Sequence, residues 1–252
     1  MVVTAHCENA DLVSETQKKL VAEGKTGPEW HEPSRPISVE AEGCHHLMTF
    51  AEMTGAEVYV VHTSCIPAVE AITEAKKRGV RVSIETVAPY LTLDSSYAEL
   101  RDFEGAKYVM SPPIRSKEHG DFLWKCLANG TVDTVGTDHA PFDFTTQKHM
   151  GHPDKAVDAN MQPTGKPGNF TLIPNGIPSV EERVKLLYTE GVCRGRIDTA
   201  KRRVEMITAD LEGGKASLAP FEPSTAITDD PESKAKARRS KTDTKTDDIR
   251  LF

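Results

Sequence analysis

Val132-Asp133-Thr134-Val135-Gly136-Thr137-Asp138-His139-Ala140-Pro141 is a short apolar run that ends in an acid. Its β-branched residues make it a strand, and Pro141 stops the chain just past Asp138 and His139. Two earlier stretches share the design. Met1-Val2-Val3-Thr4-Ala5 ends on His6, and Glu57-Val58-Tyr59-Val60-Val61 ends on His62. Three strands finishing on His, His and Asp place candidate metal ligands at the carboxyl edge of a parallel sheet. Imidazole and carboxylate suit zinc or a similar borderline metal, and strand ends hold such groups rigidly.

The text between these strands reads as helices and turns. Residues 8–23 form a helix closed by Gly24, and the three prolines between Gly27 and Pro36 mark a loop. Ser38 is expected to cap a second helix, with Leu47, Phe50 and Met53 on its apolar side and Gly55 at its end. Pro67 opens a third, lined by Ile66, Val69 and Ile72 and closed by Gly79. Val80 to Glu85 alternates as a strand, and Tyr108-Val109-Met110 is a short apolar run. Ser116 is expected to cap a helix carrying Phe122, Leu123, Cys126 and Leu127, ended by Gly130. Residues 142–178 make a long Gly/Pro/Asn-rich connection, a length typical of an active-site loop or a disordered one. Ser179-Val180-Glu181-Glu182 reads as a capping box, with Val180, Val184 and Leu187 continuing a helix to Gly191. Strands alternating with helices over short links predict parallel βα units and an α/β fold. A barrel and an open sheet both satisfy this pattern.

Composition narrows the function. A net charge of −7, from 31 basic and 38 acidic residues, argues against a nucleic-acid partner. No run approaches the 18 apolar residues of a membrane span. Five cysteines, at 7, 44, 65, 126 and 193, are odd in number and lack CxxC spacing, which fits small buried side chains in a reducing cytoplasm. His45-His46 lies mid-helix and reads as surface or packing residues, and His31, His119, His149 and His152 sit in loops or polar helix starts without partners at useful spacing. Because Met1 enters a site strand at once, the chain is expected to be a truncation. The texture changes after Asp198. Residues 229–250 mix seven basic with six acidic side chains and carry no aromatic, so 199–252 is expected to be a largely disordered tail.

At these residues the chain resembles the cyclic amidohydrolases of the dihydropyrimidinase and hydantoinase type. The resemblance rests on six ordered blocks within residues 1–198. They are His6-Cys7-Glu8-Asn9, the run from Ala22 to Pro36 that includes Trp30-His31-Glu32-Pro33, and Val61-His62-Thr63-Ser64-Cys65. Phe103 to Pro113, Thr137-Asp138-His139-Ala140-Pro141-Phe142 and Ile173-Pro174-Asn175-Gly176-Ile177-Pro178 complete the set. The resemblance implies a partial (β/α)8 TIM barrel of the metal-dependent hydrolase type, lacking the first strands, with residues 1–198 as its C-terminal half. It implies a dinuclear zinc centre bridged by a carboxylated lysine. His6 and His62 match the ligands of one metal. Asp138 matches a ligand of the other and the proton shuttle. Ser111 and Asn175 match positions that face the substrate's amide edge, largely through backbone atoms. The family's His-x-His pair and bridging lysine are absent here.

The resulting expectation is a dihydropyrimidinase-like hydrolase that opens a small cyclic amide, a dihydropyrimidine or hydantoin, and is inactive as this shortened chain. Its partners are then the substrate and either a second copy or a complementing N-terminal half. The rival is a non-catalytic interaction protein of the collapsin response mediator type. Retention of His6, His62 and Asp138 favours descent from an enzyme.

Overall fold

A computed structural model describes residues 1–198 of the 252-residue chain. The tail expected at 199–252 lies outside the described residues. In chain order the elements are β1 (Val2–Ala5), α1 (Ala10–Ala22), α2 (Ile37–Thr54), β2 (Glu57–Val60), α3 (Ile66–Lys77), β3 (Val82–Val87), α4 (Ala88–Thr92), α5 (Lys117–Asn129), β4 (Thr134–Gly136) and α6 (Glu182–Leu186).

The four strands make one all-parallel sheet in the order β1-β2-β3-β4, so each pairs with the next in sequence. Helical crossovers are what parallel neighbours need. The inner strands are rich in β-branched side chains and bury them: Val58, Val60, Ile84 and Val87 are all nearly inaccessible. Among the described residues β1 pairs only with β2, and its Val2 and Val3 remain about half exposed (50% and 42%). α2 and α3 pack together, and Cys44, Met48 and Ala51 of the one share a buried core with Ala68, Ile72 and Ala75 of the other. Trp124 on α5 joins this core, and its indole N–H donates to the Leu91 carbonyl at 2.7 Å. Gly55 ends α2 at φ 68°, the left-handed conformation that favours glycine.

A second apolar cluster, Leu20, Phe103, Ala106, Val109, Phe170 and Ile173, lies under the long connection. That connection is ordered. It contains 3-10 turns at Lys148–Gly151 and Phe170–Leu172, and the Phe170 N–H donates to the Thr26 carbonyl at 2.8 Å.

Several local expectations are corrected. α2 starts at Ile37 with Pro36 at its N-cap, so Ser38 lies inside the first turn rather than capping it. Its buried face is Val39, Glu40, Cys44, Met48 and Ala51, which turns toward α3. Phe50 and Met53 lie on the opposite side and are exposed. Ser116 occupies the N-cap of α5 but gives no side-chain cap. Ser179 is no cap either. Its hydroxyl donates to the Thr137 carbonyl, and α6 begins three residues later. Val180 and Val184 are exposed, whereas Leu187 is buried where α6 loosens into a π-helical turn, Leu187–Val192. Four cysteines are buried, but Cys193 is exposed. Among the described residues no helix is long and apolar enough to cross a membrane.

Candidate functional site

The register Ala5↔Val60 sets the ends of β1 and β2 side by side, and the chain delivers His6 and His62 immediately beyond them. His6 Nδ1 and His62 Nε2 stand 3.1 Å apart, with the rings edge-on at 4.8 Å between centroids. Both His62 (φ 39°) and Asp138 (φ 45°) adopt left-handed backbone just past their strands. Non-glycine residues hold this conformation only where the surroundings enforce it, and it turns the side chain sharply off the strand axis. Asp138 is partly buried at the end of β4.

Burial, with the field of His6 added, pushes the His62 pKa down to about 4, so its ring is neutral near pH 7. The other nitrogen of His6, Nε2, meets Glu8 Oε2 at 2.8 Å, and Arg35 donates to the same carboxylate oxygen. Burial works against the charge of Glu8, but the His6 bond and Arg35 outweigh it and hold the carboxyl below its ordinary range. Burial raises the Asp138 pKa, and His6 opposes the rise.

Glu85, in the middle of β3, ties the strand ends together. Its carboxylate accepts from the His62 backbone N–H at 3.1 Å and from the Tyr59 hydroxyl at 2.7 Å. Tyr59 also reaches Thr134 on β4 at 2.7 Å. Burial raises the Glu85 pKa despite these bonds. The other side of the His62 turn is held by a buried ion network. Glu40 accepts from the Ser64 backbone and hydroxyl, and Arg115 donates to Glu40 at 3.1 Å, to Ser64 Oγ at 3.1 Å and to the Arg35 carbonyl.

Ser111 is half-buried and Asn175 exposed, on two neighbouring segments joined by the Gly176 N–H to Val109 carbonyl bond at 3.0 Å. Gly176 presses on Ala140, where an added Cβ would fall 2.6 Å from that residue's carbonyl oxygen. This contact and the bridge His139↔Ile177 set the Asn175 segment against the turn that carries Asp138.

His31, expected to be a loop residue without a partner, is instead buried, and its Nε2 lies 2.8 Å from the Met110 carbonyl. Burial drives its pKa down to about 3 from the usual 6.5. Between those values the unfolded chain binds a proton that the folded chain refuses. The contribution of His31 is therefore intact above pH 6.5 and is lost as pH falls toward 3, by at most about 1.4 kcal/mol per pH unit. His31→Gln keeps a donor for Met110 and should flatten the fall in stability between pH 6.5 and about 4. Equal slopes in urea titrations of the two proteins would reject this. His119, His149 and His152 also have partners. His119 accepts from the Ile66 N–H at 3.1 Å, and the other two stack around Phe103.

The His6–His62 pair can be tested against a metal. Zn–N bonds of about 2.0–2.1 Å at a tetrahedral centre set two nitrogens about 3.3 Å apart, close to the spacing found. His62 Nδ1 is buried without a hydrogen-bond partner. Among the described residues no group of three His, Cys, Asp or Glu is arranged to hold a metal ion, and the pair fits two positions of a coordination shell. Glu8, Arg35, Glu85 and Arg115 were not legible as site residues. Glu8 and Arg35 stand inside two of the blocks that carry the resemblance, and Glu85 is an acid inside an otherwise apolar strand, but nothing in the sequence joins them to the histidines.

No family model matches the chain. The D-hydantoinase of Geobacillus stearothermophilus is 42% identical over 210 residues, which is 83% of this chain and 41% of that protein. The dihydropyrimidinase of Dictyostelium discoideum is 38% identical over 198 residues, 78% of this chain and 36% of that protein. Among solved structures, the D-hydantoinase (dihydropyrimidinase) from Thermus sp. superposes with a TM-score of 0.70 at 56% identity, over 79% of this chain and 40% of that one. The chain thus spans about two fifths of the length of the curated relatives it matches. Its parallel sheet, its paired strand-end histidines and these likenesses together show that it belongs to the D-hydantoinase and dihydropyrimidinase family.

Proposed function

We propose that the chain supplies part of the catalytic site of a hydrolase that opens small cyclic amides, a hydantoin or a dihydropyrimidine. The observation that carries this is the convergence of His6 Nδ1 and His62 Nε2 at the carboxyl ends of adjacent parallel strands. Such a site belongs at the mouth of a (β/α)8 barrel, of which these four strands would form one part. His6 and His62 would hold a metal, with zinc suited to the donors. The ion would polarise the ring carbonyl and lower the pKa of a bound water.

The chain's own residues have separate tasks. Glu8 holds a proton on His6 Nε2, which leaves Nδ1 with a free lone pair. Glu85 fixes the turn that aims His62. Asp138, its carboxyl pKa raised by burial, takes a proton and passes it to the departing amide nitrogen. Ser111 and Asn175 flank the substrate's amide edge from the two segments joined at Val109 and Gly176. Unpaired cysteines, four of them buried, support a reducing compartment such as the cytoplasm. Further donors would come from polypeptide beyond the described residues, in the same chain or a complementing one, and a second copy of the chain is a further candidate partner.

The test is hydrolysis of hydantoin and dihydrouracil with added zinc. The chain alone should stay at background. The chain fused to the unmatched remainder of the G. stearothermophilus D-hydantoinase should turn over. Clear turnover by the chain alone would overturn the need for further donors, and a folded, metal-loaded fusion without turnover would remove the hydrolase reading.

A further inference from the structure

Lys148 is among the most deeply buried large side chains of the described residues, at 2% exposure, yet it belongs to the loop-rich connection after β4. Its Nζ donates to three main-chain carbonyls: Val109 at 2.8 Å, Pro174 at 2.7 Å and Gly176 at 2.8 Å. An ammonium has three N–H groups, and all three are used. The acceptors are not scattered. Val109 lies two residues before Ser111, and Pro174 and Gly176 flank Asn175 on both sides. The Gly176 N–H returns to the Val109 carbonyl, so the two segments are cross-linked directly and through the lysine.

We propose that Lys148 is a positioning residue for the substrate edge, its ammonium fixing the separation and orientation of the segments that carry Ser111 and Asn175. This rests on the reading that those two residues meet a cyclic amide. The side chain is too deeply placed to touch substrate itself, so it acts through backbone. Burial lowers its pKa to about 7, while the three carbonyls favour the charged form, which alone can satisfy all of them. A guanidinium would not serve as well, because its planar fork cannot point three donors around one apex.

Lys148→Met keeps the methylene packing and removes the donors. In the chain as it stands, amide hydrogen exchange should quicken at least tenfold at Gly176, with the amides of β2 and β3 unchanged. In the fusion with the remainder of the G. stearothermophilus D-hydantoinase, hydantoin binding, followed by ligand-observed NMR, should weaken about tenfold or more. In Lys148→Ala, millimolar n-propylammonium should restore part of both effects, whereas n-propanol should not. Unchanged exchange at Gly176 in a folded Lys148→Met protein overturns the proposal, as does wild-type hydantoin affinity in that variant or equal rescue by the alcohol. If the unmodified fusion binds no hydantoin, the substrate reading fails, and exchange at Gly176 with its ammonium rescue still decides the role of Lys148.

Discussion

Asp138→Asn, in the fusion that completes the enzyme, is expected to lower kcat for hydantoin by about 10²–10⁴-fold, the usual worth of a positioned acid–base group. Asparagine is nearly the same size and keeps the turn at the end of β4, where the residue already sits at φ 45°. Asparagine tolerates that conformation as well as aspartate does. What disappears is a group that accepts and returns a proton. Burial raises the carboxyl pKa of Asp138, which moves it toward the range where both halves of that transfer are feasible near neutral pH. The check is steady-state kinetics beside thermal unfolding. A kcat within a few-fold of the parent, with unchanged melting, would remove Asp138 from the mechanism.

Arg115→Met is expected to cost about 3–5 kcal/mol of stability, because it strands the Glu40 carboxylate in the interior. Both side chains are nearly inaccessible, with 1% and 2% exposed. Burial disfavours the guanidinium charge, but the surrounding acids, Glu40 foremost with Glu32, together outweigh that and raise its pKa. Arg115 also donates to the Arg35 carbonyl and to Ser64, so its removal loosens the turn behind His62. Replacing both ions, Arg115→Met with Glu40→Leu, should recover a substantial part of the loss, since the one carboxylate then left without Arg115, Glu32, is partly exposed to water. Urea unfolding of the two single variants and the double variant measures this. A single-variant loss below about 1 kcal/mol would show that the pair is not the anchor its burial suggests.

The strands and most helix limits were legible because they follow simple periodicity. Val58-Tyr59-Val60 and Val82-Ser83-Ile84 read as strands at once, and Gly55 and Gly130 mark helix ends through their left-handed backbone. Facing was less legible. Leu47, Phe50 and Met53 look like a core stripe, but α3 meets the Cys44–Met48–Ala51 face; Leu47 packs at its margin while Phe50 and Met53 stay exposed. The two histidines were legible as strand-end residues. Their partners were not, because Glu85 reaches His62 across 23 positions and Arg115 reaches Glu40 across 75. Lys148 and His31 were hidden for the same reason. A polar side chain in a loop looks solvated until distant carbonyls are seen to close around it.

The half-exposed outer edge of β1 has a consequence for recognition. A strand edge offers an alternating row of amide donors and carbonyl acceptors that is identical for every sequence. A chain lying beside Val2–Ala5 can therefore pair with it through backbone alone, in either direction. Any selectivity must come from the apolar side chains it covers. Unrelated extended peptides can compete for that edge, and a true neighbour would be distinguished by how completely it shields Val2 and Val3.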